Sequence, residues 1–382
     1  MNQNLNCAQY CLRVIRAVMR EQPVPPLPEQ VSLGELFEFS KMHSLEALVY
    51  NGISQLDLNK TDPVLLHWCN RAQMILNQSI VQLAERDNLF AVLNENGMEL
   101  LPVKGSWLKE DYPQIDFRQM ADLDILIRKE DREKARKIML ALGYEEDFEE
   151  AETYHDSYKK KPYMAVELHS RLLSDKNPNS VYYETVWEKA GMVDGNPRLR
   201  RLPAEDEYIY FFLHTKKHME EAGIGIRYLL DCFVYRNINP DWDRDYLNRE
   251  FRKLGIQNYV QQMEQLADCW FSTSDPVPQA LSQLEEHVLW TGTYGSLDNL
   301  LQNHMDAMKR KYKNPVFFQI AYWASRVFRP LEEMKCHYRI LEDLPILLPV
   351  FWVIRIIGKC IEKPGAILYH VKKIFNEGKN HD

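Results

Sequence analysis

The chain has 382 residues, 45% of them hydrophobic and 27% charged, and a formal net charge of −8. That composition belongs to a folded globular protein with room for one large core or several smaller ones, and not to a disordered chain. The negative balance excludes a general electrostatic affinity for nucleic acid or anionic lipid.

Taken in chain order, residues 5–20, 32–55 and 62–96 read as helices, with the proline-rich "QPVPPLPEQ" (22–30) as a connector. The third has Asp62 as its N-cap, Pro63 in its first turn and Gly97 as its stop. After Gly97 the texture changes. "MELLPVKG" and "ADLDILIRK" read as strands, with a short helix over 106–112 between them. "DREKARKIMLALGY" has the spacing of an amphipathic helix that ends at Gly143. "TYHDSYKKKPYMAVELHSRLL" reads as a hairpin of two strands joined by a Lys-Pro turn.

From about residue 180 the helical pattern returns, with segments near 182–190, 204–221, 225–237, 243–254, 256–272, 278–290, 295–311 and 315–329. "LPILLPVFWVIRIIGK" (344–359) is apolar but interrupted by Pro345, Pro349 and Arg355, and it is shorter than the roughly 20 residues of a membrane span. It reads as a buried C-terminal helix. A helix lying on a membrane surface is the alternative, because the sequence after it, through about residue 375, is basic and aromatic. The expected division is a helical region over 1–97, an α/β core over 98–176, a helical domain over 177–330 and an apolar, basic helical tail over 331–382.

The seven cysteines are scattered, and none forms a CxxC pair. A zinc knuckle or redox motif is therefore not expected, and a reducing cytoplasm is. The N-terminus is polar and then amphipathic, with no cleavable apolar region. The basic runs "RKEDREKARK" (128–137) and "KKK" (159–161) read as a solvated helix face and a hairpin tip. The tryptophans show no platform-like grouping for base stacking.

The chemistry concentrates in the α/β stretch. Side chains alternate across a strand, so Asp122 and Asp124 point the same way. Two adjacent carboxylates repel and lose hydration unless a cation joins them, and Mg²⁺ or Mn²⁺ suits such hard oxygen ligands. Gly105-Ser106 stands between a strand and a helix start, where free backbone N–H groups favour a phosphate. A plain helix cap is the other reading of that serine. In "VELH", Glu167 faces away from Val166 and Leu168 and would complete a three-carboxylate cluster. Such a cluster can hold two divalent ions, one on a triphosphate and one on an acceptor hydroxyl.

"VKGSWLKEDYP…FRQMADLDILI" followed by "VELH" resembles the nucleotidyltransferase superfamily that includes DNA polymerase beta. More narrowly, the chain resembles an uncharacterised bacterial nucleotidyltransferase-like family whose core continues into a helical H…KH…GIGxRxxxD segment. Here that segment is "FLHTKKHMEEAGIGIRYLLD". The likeness covers roughly residues 35–300. It implies an α+β protein, with a small polymerase-beta-like core of mixed sheet and flanking helices embedded in a mostly helical chain. It also implies that Asp122, Asp124 and Glu167 bind two Mg²⁺ or Mn²⁺ ions and are catalytic, while Lys104, Gly105, Ser106 and Arg118 bind the nucleotide. His169, His214, Lys217, His218, Arg227 and Asp231 would line the cleft, with Asp231 holding Arg227 one helical turn away. Two departures stand out: Lys-Gly-Ser replaces the superfamily's Gly-Gly-Ser, and a glutamate stands where aspartate is common.

The expected activity is transfer of a nucleoside monophosphate from a triphosphate, ATP by default, to a hydroxyl or phosphate. A small-molecule or protein acceptor fits the negative charge better than long nucleic acid does. A non-catalytic nucleotide- or protein-binding module and a membrane-surface accessory protein of an envelope or glycan pathway are the alternatives.

Overall fold

Helix α1 (Asn2–Met19) packs against α3 (Glu46–Ile53), which α2 (Leu33–Met42) precedes. The single helix expected over 32–55 is thus two. Its start is a capping box in which the Ser32 hydroxyl accepts from the Glu35 N–H while the Glu35 side chain reaches back. Its break lies at His43–Leu45, where Ser44 takes a φ of 55° that no helix accommodates. The computed structural model describes residues 2–382 except 148–153, 175–176, 274, 294, 296–304, 306–314, 363–364 and 366–382.

The long helix α4 (Pro63–Glu95) begins as expected, with the Asp62 carboxylate accepting from the N–H groups of Val64 and Leu65. One stripe is buried along its whole length, from Leu65 and Trp68 through Leu89 and Leu93. In the middle of that stripe the residues are polar: Ser79, Gln82 and Arg86. Buried polar groups need partners, and these three find theirs in the loops after the first strand. Lys109 Nζ donates to Ser79 Oγ at 2.9 Å, Gln82 donates to the Met120 carbonyl at 3.0 Å, and Arg86 donates to the Ser106 carbonyl at 2.7 Å. The helix is therefore a strut that fixes residues 105–120.

Among the described residues, seven strands form one mixed sheet: β1 (Leu100–Pro102), β2 (Leu123–Ile127), β3 (Glu145–Glu146), β4 (His155–Lys160), β5 (Met164–His169), β6 (Gly191–Val193) and β7 (Asn196–Arg201), in the order β3-β4-β5-β2-β1-β7-β6. Strands β4 and β5 are the expected hairpin. Strands β6 and β7 had no counterpart in the sequence reading. Strand β7 lies parallel to β1, so the sheet continues beyond residue 176. Strand β7 alternates only weakly, with three arginines among six residues, which hides its pattern.

Helices α5 (Gly105–Leu108), α6 (Arg132–Ala141) and α7 (Val186–Lys189) join the strands. The segment expected near 182–190 is only a 3₁₀ turn and the one-turn α7. The two faces of the sheet carry different residues. Leu123, Ile125 and Ile127 of β2 and Val166 and Leu168 of β5 share a core with Leu89, Leu93, Ala135 and Met139 of α4 and α6. The alternate residues face the other way, toward α8 (Ala204–Glu221) and α9 (Ile226–Ile238). Helices α10 (Arg244–Lys253), α11 (Gln257–Ala267) and α12 (Ser282–Thr291) complete a large helical core with α1–α3. The helix expected over 256–272 leaves α geometry at Asp268 and finishes as a wider π turn.

Almost all of the helix expected over 295–311 lies outside the described residues. The helix over Leu348–Glu362 forms, but none of its described side chains is buried, which corrects the expectation of a buried element. Its Trp352 side packs back, with Nε1 donating to the Arg329 carbonyl at 2.9 Å. Val350, Val353, Ile354, Ile357 and Ile361, spaced along another face, stay exposed. Among the described residues no helix is long and apolar enough to cross a membrane.

Candidate active site

The turn after β1 sets the site. The Val103 N–H donates to the Asp124 carbonyl at 3.1 Å, which extends the β1–β2 pairing by one residue. Lys104 follows with φ 56° and ψ −125°, a conformation that costs a non-glycine residue on the order of 1–3 kcal/mol. It places the Lys104 ammonium 2.6 Å from Asp124 Oδ1. Gly105 is required by close approach: a Cβ there would lie 2.2 Å from Nη1 of Arg118. The bare backbone expected to receive a ligand is thus covered by this guanidinium.

Ser106 is turned into the fold. Its N–H donates to the Val103 carbonyl at 3.3 Å, its hydroxyl donates to the Asp124 carbonyl at 3.3 Å, and it is buried. It closes the turn and is not among the residues that line the cavity.

Strand register brings the acids together. Asp124 of β2 lies directly beside Glu167 of β5, and Asp122 immediately precedes β2. All three line one cavity of about 890 Å³, together with Lys104, Arg118 and His169. The Nε2 of His169 is 2.8 Å from Asp124 Oδ1 and 3.1 Å from Glu167 Oε2. Burial alone would raise the Asp124 carboxyl, but the Lys104 ammonium and His169 overcome it and hold the group well below the usual carboxylate range. Asp122 has no such contact. Burial, and then the charge of Asp124, push it up to about 6. Burial disfavours a charged His169, yet its hydrogen bonds to Asp124 and Glu167 raise it above its usual value. Lys104 stays charged because the surrounding acids outweigh its burial.

Arg118 and Asp231 form a pair that the sequence reading assigned otherwise. Arg118 Nε and Nη2 donate to the two Asp231 oxygens at 2.8 and 3.0 Å, and the Tyr112 hydroxyl donates to Oδ1 at 2.6 Å. Asp231 therefore holds Arg118 and not Arg227. Arg227 instead donates through Nη1 to the Gln119 carbonyl at 2.9 Å. Spacing of i to i+4 permitted the other pairing, but Arg118 arrives from the β1–β2 connection with a planar fork that satisfies both oxygens.

Helix α8 supplies the facing wall. The Nε2 atoms of His214 and His218 are 2.8 Å apart, so one neutral ring donates to the other. Burial and the Lys104 charge push His218 down to about 4 and His214 well below its usual value. Lys217 lies 3.5 Å from the hydroxyl of Tyr154, which immediately precedes β4, and both line the cavity. The sequence reading missed His155 and Tyr112. His155 was within reach of it: the Lys-Pro turn fixes a hairpin register that sets His155 opposite His169. Tyr112 carried no such signal, because its partner is 119 residues away.

The family described as "Uncharacterised nucleotidyltransferase" matches residues 29–272, well over half of the chain. The chain belongs to that family. As a nucleotidyltransferase it is an enzyme of nucleotidyl transfer, built on a mixed α+β fold. No curated protein matches. Among solved structures, the solution structure of antibiotic-resistance factor ANT(2'')-Ia is similar at 14% identity, covering 54% of this chain and 94% of that one with a TM-score of 0.26. That likeness is too slight to carry an argument.

Proposed function

We propose that the protein transfers a nucleoside monophosphate, with ATP as the default donor, to a hydroxyl or phosphate of a small-molecule or protein acceptor in a reaction dependent on a divalent metal. The observation that supports this best is that Asp122, Asp124 and Glu167 line one cavity beside a lysine and an arginine. The donor set fits Mg²⁺ or Mn²⁺: Asp122 is raised by burial and by its neighbour's charge, a penalty that a divalent cation would remove. Asp122, Asp124 and Glu167 would hold such ions, which supply charge neutralisation at the phosphates and a more acidic acceptor hydroxyl.

The chain's own residues do the rest. Lys104 neutralises Asp124 in the nucleotide-free protein and is the nearest cation for a triphosphate that enters over the acids. Arg118, with two of its nitrogens fixed by Asp231, presents a pre-oriented guanidinium at the same turn. The cavity volume lies in the upper part of the roughly 300–1,000 Å³ range of small-molecule sites, which leaves the α8 wall for the acceptor. There the His214–His218 pair is neutral at pH 7 and can accept a hydrogen bond from a hydroxyl. The net charge of −8 favours a small or protein acceptor over long nucleic acid.

Pyrophosphate release from each ribonucleoside triphosphate, followed over a panel of hydroxyl and phosphate acceptors with Mg²⁺ or Mn²⁺, tests the reading. Release that needs both metal and Asp124 supports it. Metal-independent release, or release unchanged in Asp124→Asn, contradicts it.

A further inference from the structure

The face that carries the acids also carries two imidazoles, and an all-oxygen metal site has no use for them. Strands β4, β5 and β2 are neighbours in that order. His155 on β4 stands directly opposite His169 on β5, with ring centroids 4.9 Å apart. Glu167 is two residues before His169 on the same strand, so all three side chains project from one face. One ligand atom from each of His155, Glu167 and His169 lies within 4.8 Å of the other two. Individual separations are 3.7 Å from His155 Nε2 to Glu167 Oε1 and 3.1 Å from His169 Nε2 to Glu167 Oε2. Donors about 2.0–2.2 Å from a common ion are spaced by roughly 3–3.5 Å, so little movement brings these onto one centre. Both histidines are buried, whereas Glu167 is only partly buried and opens to the cavity.

We propose that His155, Glu167 and His169 form a mixed nitrogen–oxygen site for one borderline divalent transition ion of the Co²⁺ or Zn²⁺ class. Asp124 Oδ1, 2.8 Å from His169 Nε2, is the adjacent fourth donor. The choice follows from ligand chemistry. Mg²⁺ keeps oxygen ligands and waters and gains nothing from imidazole, whereas imidazole suits the later divalent ions. A proton shared between Asp124 and Glu167 through His169 would account for that one ring. It would not account for a second ring set across the strand and aimed at the same carboxylate. The glutamate in place of aspartate fits as well: its extra methylene carries the carboxylate out to the level of the imidazole nitrogens. This inference deepens the proposed function and rests on it only in treating this face as a metal-binding face. Glu167 and Asp124 are shared with the carboxylate set of that function, and Asp122 stands outside the His155–Glu167–His169 cluster.

The test is a Co²⁺ titration of the full chain, read by visible d–d absorption in the presence of excess Mg²⁺, with Zn²⁺ then added as competitor. The expected result is one Co²⁺ per chain, displaced by Zn²⁺ and not by Mg²⁺. Affinity should fall at least about tenfold in His155→Ala and His169→Ala. Thermal unfolding of each metal-free variant checks folding, and His155→Gln serves where the alanine variant does not fold. No band, or a band unchanged in both the His155 and His169 variants, overturns the proposal. Nucleotide binding with Mg²⁺ is measured alongside. If it persists without a Co²⁺ band, this site falls and the nucleotidyl-transfer reading stands. If Co²⁺ binds through the histidines but no nucleotide does, the site stands and that reading falls.

Discussion

The two walls of the cavity carry the same residue type under opposite pressures. On the sheet wall, His169 is buried yet raised, because Asp124 and Glu167 both hydrogen-bond to it. On the helix wall, His214 and His218 are half-buried and lowered, by lost hydration and then by the Lys104 charge, with each other as hydrogen-bond partners instead of a carboxylate. Burial pushes every imidazole toward neutrality, so the local partner decides which one carries charge at pH 7. Lys104 acts on both walls at once: it holds Asp124 ionised and helps keep the α8 histidines neutral. The site is polarised across its own width, with an anionic floor, Lys104 above it and a neutral imidazole pair opposite.

Asp124→Asn should break this contrast most severely. It removes the common partner of Lys104 and His169, leaving Lys104 without its ion-pair partner and His169 with Glu167 alone, a loss of roughly 3 kcal/mol in denaturant unfolding. Nucleotidyl transfer should fall by at least about 10²–10³-fold in kcat. Asp231→Ala comes next. It strips the fork of Arg118 and the Tyr112 hydroxyl of their acceptor, and stability should drop by about 3 kcal/mol. If that variant is as stable as wild type, the buried pair does not set the position of Arg118.

A titration sharpens the comparison. Asp122 is raised in the folded state, so its stabilising contribution is complete below about pH 4 and is lost as pH rises through about 6. Metal-free wild type should therefore lose roughly 2–3 kcal/mol relative to Asp122→Asn between pH 4 and 7, measured by urea unfolding. The His169 contribution has the same sign but a later window: it is present below about 6.5 and lost above the raised folded value. Parallel pH curves for Asp122→Asn and wild type would show that Asp122 is not raised. The smallest effect belongs to Ser106→Ala. Its hydroxyl bond to the Asp124 carbonyl is long, so the loss should be about 1 kcal/mol, with KM for nucleotide changed less than about twofold. A larger rise in KM would restore Ser106 as a phosphate contact.

Much of this site was legible because strands print their faces in alternating residues. Asp122, Asp124 and Glu167 were readable as a group, since "DLD" and "VELH" are each flanked by residues of a core face. The turn at Gly105 was readable as a special position, but its reason was not. What fills the space beside it is Arg118, and that contact is set by a pair 113 residues apart. Asp231 was assigned to Arg227 because helical spacing is the only information that a sequence carries about such a pair. Strand β7 was missed because three of its six residues are arginines and only Leu199, paired with β1, is buried. The last helix was misjudged because apolar density does not say whether a partner surface exists for it.

The central claim is that the aspartates at the head of β2 hold metal for a nucleotide. Thermal unfolding with each of the four ribonucleoside triphosphates, with and without Mg²⁺ or Mn²⁺, tests it on wild type and on Asp122→Ala/Asp124→Ala. A ligand that binds only the folded state raises its stability by mass action, by about 2.7 kcal/mol at a hundredfold excess over Kd. The account predicts a metal-dependent rise in Tm for at least one triphosphate in wild type, and none in the double variant. A rise that needs no metal, or one that survives loss of both aspartates, would contradict it.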